Sequence, residues 1–435
     1  MNEDNNLGTF TVKEVYGPHA IMENGQIMPF VDQLAIVSHY LHNKGFKSEK
    51  TYKQLAIGLI EDIYNIKPRQ IEDVNLASEG NYNQYSLFKD FFAVPFPECP
   101  KPKFTFIDLF AGIGGFRIAL QSVGGRCVFS SEWEPQAQKT YFANFGDMPF
   151  GDITKDRIKS FIPDDFDVLC AGFPCQPFSI SGKQKGFEDT RGTLFFDICQ
   201  IISQKKPKVV FLENVKHLVH HDGGNTLKTI LNKLSELGYS VSWRVLNSAD
   251  FGVPQNRERI ILIGSLKGTF DFDVLKKEKR HPLKEYLDKD GNFEYLKPSE
   301  YTLLSETHRQ PVSGLIFAGY RNKSIRKVGV RPGTEHLSRV HKQPNRIYSV
   351  EGIHPTLPSQ ESSGRFFILT EDRRVRKLTI QECWRIMGFP DEYIKVSAVG
   401  QQYKQLGNSV CVKMIEAIAC EIYNQLLAKE IKKYE

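Results

Sequence analysis

The sequence lacks the features that mark membrane, secreted and zinc-binding proteins. Its 435 residues contain no apolar run long enough to span a bilayer. The opening residues, MNEDNNLGTF, are polar and acidic, unlike a secretion signal or transit peptide, so we expect a cytoplasmic protein. The eight cysteines are scattered, with no Cys-x-x-Cys pair and no histidine at zinc-finger spacing. We therefore expect reduced cysteines and no metal site.

A large net charge is also missing, but the charge is unevenly distributed. The formal net charge is +6, and residues 321–350 alone hold eight Lys and Arg against one Glu. A basic segment in an otherwise nearly neutral chain indicates a polyanionic partner, although a solvated charged face is the alternative. The length and the 40% apolar fraction predict two or three globular domains.

Residues 1–100 have the pattern of a helical extension. Ser48 is positioned to cap a helix, and the HNKG stretch at 42–45 would end the helix before it. Apolar residues at intervals of three and four predict that the second helix has one apolar face, formed by Tyr52, Leu55, Leu59, Ile63 and Ile66. Four prolines within 94–103 predict a linker. The role of this extension stays open between DNA contact, self-association and stability.

From 104 to 265, short apolar runs alternate with helix-like stretches. This alternation predicts an α/β domain with a doubly wound, mostly parallel sheet and helices on both faces. The predicted strands are FTFIDLF, CVFSS, FDVLCAG, KVVFLEN, YSVSWRVLN and RIILIG. Beyond 266 the alternation gives way to a basic, turn-rich stretch, and a helical pattern returns from Val410.

A glycine-rich turn in FIDLFAGIGGF predicts a nucleotide-type pocket, with a plain tight turn as the alternative. Gly112, Gly114 and Gly115 would let the backbone approach a ligand at the start of a helix. Glu132 lies about 20 residues on, where a carboxylate can bind ribose hydroxyls. Asp152 is expected after the third strand. The spacing is not Gly-x-Gly-x-x-Gly, which favours an adenosine cofactor without a pyrophosphate.

The stretch GFPCQPFS places Cys175 between two prolines, directly after a predicted buried strand. Proline fixes φ and donates no backbone hydrogen bond, so the two prolines hold this loop in an irregular shape. The loop either serves packing or presents a thiol. Taken alone, a cysteine here is more simply a small buried apolar residue.

Six motifs in a fixed order resemble those of the bacterial cytosine-5 DNA methyltransferases of restriction–modification systems. They are FIDLFAGIGGF, GFPCQPFS, ENV (213–215), QNRER (255–259), RKLTIQECWRIMGFP (376–390) and GNSV (407–410). The resemblance covers roughly 104–265 and 373–435. It implies a class I methyltransferase (Rossmann-like) catalytic domain at 101–268, a smaller target-recognition domain at 269–392, and a C-terminal helix at 393–435 that completes the catalytic domain.

The resemblance implies four catalytic residues. Cytosine C5 is a weak nucleophile until a thiolate has added to C6, and Cys175 would supply that thiolate. Glu213 would protonate N3 of the ring, Arg259 would contact the base edge, and Arg257 would support the site. A strand-end surface carboxylate is the alternative for Glu213.

The implied cofactor is S-adenosylmethionine, converted to S-adenosylhomocysteine without a metal. The residues expected around it are Phe110, Gly112, Gly114, Glu132, Trp133, Asp152, Ile153, Pro174, Leu194, Asn408 and Ser409. The implied partner is double-stranded DNA, from which the target base must be flipped. The residues expected to contact DNA are Ser179, Ser181, Arg331, Arg339, Arg346 and Thr356.

The expected activity is sequence-specific DNA cytosine-5 methylation by a monomer, with a cognate restriction endonuclease encoded nearby. A tRNA cytosine-5 methyltransferase is one alternative, although such enzymes typically lack a long variable region. A catalytically inactive DNA-binding relative is another, although Cys175 and Glu213 are both present. A nicotinamide oxidoreductase would explain the glycine turn alone.

Overall fold

The computed structural model describes residues 5–6, 11–12, 17–22, 24–64, 89–174, 194–323, 333–334, 336–359 and 366–428. Over these ranges no helix is both long and apolar enough to cross a membrane. The helices are α1 (Phe30–Asn43), α2 (Glu49–Tyr64), α3 (Lys89–Phe92), α4 (Gly115–Ser122), α5 (Pro135–Phe145), α6 (Asp156–Lys159), α7 (Leu194–Lys205), α8 (Asn225–Glu236), α9 (Ile380–Ile386), α10 (Val399–Asn408) and α11 (Val412–Ile422).

The strands form two larger sheets and two short pairs. They are β1 (Asn5–Asn6), β2 (Thr11–Val12), β3 (Phe104–Leu109), β4 (Gly125–Ser131), β5 (Val168–Gly172), β6 (Val209–Val215), β7 (Ser240–Asn247), β8 (Gln255–Asn256), β9 (Glu258–Ser265), β10 (Tyr301–Leu303), β11 (Phe317–Arg321), β12 (Arg346–Ser349), β13 (His354–Pro355), β14 (Phe367–Leu369) and β15 (Val375–Lys377).

All six strands predicted between 104 and 265 are present in one sheet, in the order β4-β3-β5-β6-β9-β7. The first four strands run parallel, while β9 pairs antiparallel with both β6 and β7. Helices α4 and α11 cover one face, and α1, α2, α7 and α8 share a core with the other. The predicted α/β, doubly wound, mostly parallel sheet is confirmed.

The N-terminal helices pack into the core of the catalytic sheet. Thirteen residues of α1 are buried, and its apolar side chains lie in one cluster with those of β3, β4 and β5. On the predicted apolar face of α2, Tyr52 and Leu59 are fully buried and the half-buried Leu55 packs against the same cluster, whereas the Ile63 side chain and Ile66 lie outside the described residues. Ala56 and Ile60 are also fully buried, so the buried face is wider than predicted. Apolar residues recur in this helix at intervals of both three and four positions, so the sequence pattern alone did not show which of them face the core.

The predicted linker at 94–103 is packed along the sheet's helices. The Phe96 amide donates to the Asn144 carbonyl at 3.1 Å. Glu98 pairs with the buried Arg117 and accepts from the Cys127 amide at 3.3 Å. Prolines favour an extended chain both in a linker and in a segment that packs on the domain surface. The composition therefore could not distinguish these two structures.

A second sheet follows, in the order β10-β11-β12-β14-β15, with one parallel pair, β12 and β14. Strands β8 and β13 pair in parallel. This pair links the chain just before β9 of the first sheet to the chain between β12 and β14 of the second sheet. Helix α11 returns to pack against α4, next to the glycine-rich turn. The proposed domain boundaries at 100, 268 and 392 stay predictions.

Candidate active site

The glycine-rich turn between β3 and α4 has a left-handed backbone at three positions. Phe110, Gly112 and Gly114 have φ values of 55°, 57° and 79°. A Cβ on Gly114 would lie 2.2 Å from the Phe145 ring, so only glycine fits there. Among the described residues beyond its two chain neighbours, a Cβ on Gly112 would have only the Phe110 carbonyl oxygen within 4 Å, at 4.0 Å. A ligand can therefore approach the backbone at Gly112.

Glu132 follows β4 and faces this turn. Its Oε2 accepts from the Gly112 amide at 2.7 Å, and its Oε1 accepts from the Glu134 amide at 2.8 Å. Burial raises the pKa of Glu132, while these backbone donors act in the opposite direction. The neighbouring Trp133 is 77% exposed, so its indole is available to stack on a ligand.

Asp152 lies at the same edge of the sheet, but the predicted position after the third strand is wrong. It precedes β5 and follows Phe150, which forms an isolated parallel bridge with Ser131 at the end of β4. The single β-bridge at Phe150 is too short to appear as an apolar run, so the sequence did not show that the chain before Asp152 pairs with the end of β4. The Ser131 hydroxyl also donates to the Gly151 carbonyl at 2.8 Å, which holds the loop against β4. Asp152 is half-buried and Ile153 is buried.

The C-terminal motif closes the other side of the turn. Ser409 Oγ lies 3.0 Å from where a Cβ on Gly115 would be, and Asn408 is exposed at the end of α10. Pro174 is exposed directly after β5, and Leu194 is half-buried at the start of α7. The open glycine turn, the carboxylate of Glu132 and the exposed indole fit an adenosine cofactor.

Cys175 lies outside the described residues, as do Ser179, Ser181 and Arg331. The chain leading to Cys175 is fixed by Asn214, whose Nδ2 donates to the Phe173 carbonyl at 2.8 Å. Asn214 Oδ1 accepts from the Val215 amide at 2.8 Å, so this side chain is held on both sides. In the sequence, Asn214 is only the middle residue of the ENV motif, next to Glu213. Its bond to the next strand's loop was not visible in the sequence.

Glu213 and Arg259 form an ion pair between neighbouring strands. Glu213 is on β6, in register with Gly172 of β5, while Arg259 is on β9. Arg259 Nε lies 2.9 Å from Glu213 Oε1, with side chains 11% and 10% exposed. Burial raises the pKa of Glu213, and the opposing effects of Arg259 and Arg257 do not cancel the increase. This carboxyl group therefore holds its proton to higher pH than an ordinary glutamic acid.

Arg257 is fully buried and joins three segments through their backbone. Its guanidinium donates to the carbonyls of Leu357 at 3.1 Å, Gly407 at 2.8 Å and Ser409 at 2.6 Å. Burial first, and then the charge of Arg259, lower its pKa to about 9. Arg257 thus connects β8 and β9 to the C-terminal motif and to the segment before residue 360.

The described residues expected to contact DNA occupy different environments. Arg339 is exposed, whereas Arg346 is half-buried and donates from Nε to the His341 carbonyl at 3.2 Å. The Thr356 hydroxyl donates to the Asn256 carbonyl at 2.6 Å, which places it beside the QNRER motif. Over the described ranges, no group of three or more His, Cys, Asp or Glu side chains could hold a metal ion.

Comparison with known proteins agrees with this geometry. The sequence model of the family described as C-5 cytosine-specific DNA methylase matches residues 104–424. The type II methyltransferase M.HpaII of Haemophilus parainfluenzae is 44% identical over 379 residues, covering 82% of this chain and 98% of the relative. M.HhaI of Haemophilus parahaemolyticus is 45% identical over 332 residues, covering 74% and 94%.

Solved structures support the fold. A Dnmt2 methyltransferase from S. pombe superposes with a TM-score of 0.52 at 18% identity, covering 74% of this chain and 99% of that one. A putative DNA modification methyltransferase encoded within an E. coli prophage gives 0.52 at 22% identity, covering 75% and 99%. From the family match and the two curated relatives, the chain belongs to the C-5 cytosine-specific DNA methylase family and is a DNA cytosine-5 methyltransferase.

Proposed function

We propose that the enzyme methylates a cytosine flipped out of duplex DNA, with Cys175 as the nucleophile and Glu213 as the acid. The Cys175 thiolate adds its electron pair to C6, and Glu213 transfers its proton to N3. This makes C5 electron-rich. C5 would then bond to the methyl carbon that the cofactor supplies when bound, as the bond between that carbon and the cofactor's sulfur breaks. Transfer of the C5 proton to a base such as a water molecule and release of the Cys175 thiolate then restore the aromatic ring, and the proton on N3 returns to Glu213.

The arginines have separate roles in this scheme. Arg259 holds the Glu213 carboxyl by its 2.9 Å contact and faces the base edge, where it offsets negative charge on the ring. Arg257 is buried and bonded to three carbonyl groups, so it supports the segments around the site. Arg257 is therefore a positioning residue.

The open turn at Gly112, with Glu132, Trp133 and Asp152 beside it, would hold S-adenosylmethionine. Glu132 would accept from ribose hydroxyls, Trp133 would stack on the adenine ring, and Asp152 would bind a polar edge of the cofactor. When bound, this cofactor supplies a methyl group carried on a positively charged sulfur. The remaining predicted contacts are with Phe110, Gly114, Ile153, Pro174, Leu194, Asn408 and Ser409.

The basic segment at 321–350, together with Ser179, Ser181 and Thr356, would contact the DNA. Both relatives described above are type II methyltransferases. We infer that this chain likewise protects DNA against a cognate restriction endonuclease, acting as a monomer in the cytoplasm, where its substrate is found.

One observation carries this proposal: a buried carboxyl group with a raised pKa lies on the strand next to the one that leads into Cys175. Bisulfite sequencing of DNA from a methylation-free host expressing the protein tests it. We expect protected cytosines within one recurring short sequence, and none in a host expressing Cys175→Ala. An unmethylated genome with the unaltered protein would contradict the proposal and favour tRNA as substrate.

A further inference from the structure

Helix α1 lies outside the family match at 104–424 and packs against the loop that carries Asp152. That loop, residues 146–155, connects α5 to α6. The half-buried Asp152 lies in its second half, and side chains of α1 contact its backbone at Gly146, Met148 and Gly151. The family core therefore does not account for what supports this loop in the present chain.

Ser38 and His42 fasten the first part of the loop. The Met148 amide donates to Ser38 Oγ at 3.0 Å, and His42 Nε2 lies 3.1 Å from the Gly146 carbonyl. Both α1 side chains are buried. Two backbone groups of the loop thus depend on α1 for their hydrogen bonds.

Asp32, in the first turn of α1, fastens the other end. Its Oδ1 accepts from the Gly151 amide at 3.3 Å, immediately before Asp152, and its Oδ2 contacts the Arg157 guanidinium. Asp32 is 4% exposed, although it is charged. A charged residue buried to this extent is held in place by its partners, so the position of Gly151 is tied to α1.

His39 connects the loop to β4, the strand that leads into Glu132. The Ser130 amide donates to His39 Nε2 at 3.0 Å, while His39 Nδ1 lies 3.0 Å from Asp147 Oδ1 and 2.8 Å from the Ala35 carbonyl oxygen. The opposite oxygen of Asp147 accepts from Arg117 at 2.9 Å. Since Arg117 is on α4, one buried chain of contacts joins the glycine turn, the strand end and the loop.

We propose that α1 is a positioning element for the cofactor: Asp32, Ser38 and His39 set the separation of the Asp152 loop from the Glu132 strand end, and hence the affinity for S-adenosylmethionine. This inference rests on the proposed cofactor site. Because none of these side chains reaches the reacting cytosine, they act on cofactor binding and not on the transfer step.

Two hydroxyl groups provide a matched test. Ser38→Ala removes one hydroxyl that bonds a backbone group of the loop, and Tyr52→Phe removes one that donates to the Val128 carbonyl, in the middle of β4, at 2.8 Å. Each variant leaves one buried backbone group without that partner. Both should lower the melting temperature, but only Ser38→Ala should weaken cofactor binding.

The experiment is calorimetric titration of the full chain with S-adenosylhomocysteine, alongside thermal unfolding. We expect Ser38→Ala and Asp32→Ala to weaken binding about fivefold to tenfold, and Tyr52→Phe to leave it unchanged. Asp32→Asn, which keeps an acceptor for the Gly151 amide, should bind more tightly than Asp32→Ala. In kinetics, the KM for S-adenosylmethionine should rise in Ser38→Ala while kcat stays unchanged.

Unchanged affinity in Ser38→Ala and Asp32→Ala, or an equal loss in Tyr52→Phe, would overturn the inference and leave α1 a purely stabilising helix. Absence of binding by the unaltered protein would instead remove the proposed cofactor site, and the inference with it. The two failures are therefore distinguishable in one titration series.

Discussion

Two buried carboxylates, Glu213 and Asp147, both lie beside arginine, but their pKa values shift in opposite directions. For both, burial is the largest effect and raises the pKa. Around Asp147, His39 and Arg117 outweigh burial and hold the pKa well below its usual range. Around Glu213, the charges of Arg259 and Arg257 do not offset the effect of burial, and the pKa of Glu213 stays raised. The same residue types thus favour the charged carboxylate at Asp147 and disfavour it at Glu213.

The difference follows from how each carboxylate is surrounded. Asp147 accepts contacts on both oxygens, from His39 on one and from Arg117 on the other. The nearby Arg257, which could favour the charged form of Glu213, directs three hydrogen bonds to backbone carbonyls. A carboxyl group that acts as an acid needs neighbouring charges that only partly offset the effect of burial on its pKa. A structural ion pair needs neighbouring charges that offset that effect completely.

The largest expected effect is that of Glu213→Gln, which removes the transferable proton and preserves shape. We expect the single-turnover methyl-transfer rate to fall by about 10²- to 10⁴-fold, with little change in the affinity for S-adenosylhomocysteine. Rapid-quench measurement of methyl transfer and calorimetric titration check the two halves. Equal losses in rate and in cofactor affinity would show that Glu213 has no acid role.

Asp147→Asn should instead affect stability. Removing one partner from a buried ionic network costs about 3 kcal/mol, because Arg117 loses part of its compensation. Urea unfolding should show this loss, while the transfer rate per folded molecule at saturating cofactor stays close to that of the unaltered protein. A rate loss as large as that of Glu213→Gln would contradict the distinction between the two carboxylates.

Salt should separate exposed charges from these buried ones. DNA affinity should fall about tenfold or more between 50 and 200 mM salt, because the exposed basic residues release counterions from phosphate. Arg339→Ala should reduce this salt dependence, whereas Lys47→Ala, an exposed lysine of the N-terminal region paired with Asp165, should not. Fluorescence anisotropy over a salt series measures both. Salt-independent binding would remove the phosphate role of the basic segment.

A smaller effect concerns His42, a neutral group within the same buried region as Asp147. Burial lowers its pKa from 6.5 to about 4, so its contribution to stability is complete above pH 6.5 and is lost as the pH falls toward 4. Between pH 7 and 5.5 this amounts to about 1 kcal/mol. Urea midpoints of His42→Gln should fall less steeply over this interval. Parallel curves for the two proteins would contradict the assignment.

The sequence predicted the catalytic sheet well because its strands are short, apolar and separated by clear turn residues. It could not give the direction of β9, since an apolar run carries no sign of parallel or antiparallel pairing. Glu213 was identified as a site residue from its motif, but the pairing of its Oε1 with Arg259 depends on the sheet order. Three residues joined in space, His39, Asp147 and Arg117, are separated by up to 108 positions, and no local pattern connects them.

The pH dependence of single-turnover methyl transfer, compared between the unaltered enzyme and Glu213→Gln at saturating cofactor, tests the account most directly. Between pH 6 and 8 the fraction of Cys175 thiolate should rise about tenfold per pH unit, given a thiol pKa of about 8.5. In the unaltered enzyme, loss of the Glu213 proton as the pH rises should oppose this gain, so the rate should rise less steeply with pH than the thiolate fraction does. In Glu213→Gln the rate should rise with the full slope. Parallel profiles would show that Glu213 does not supply the proton.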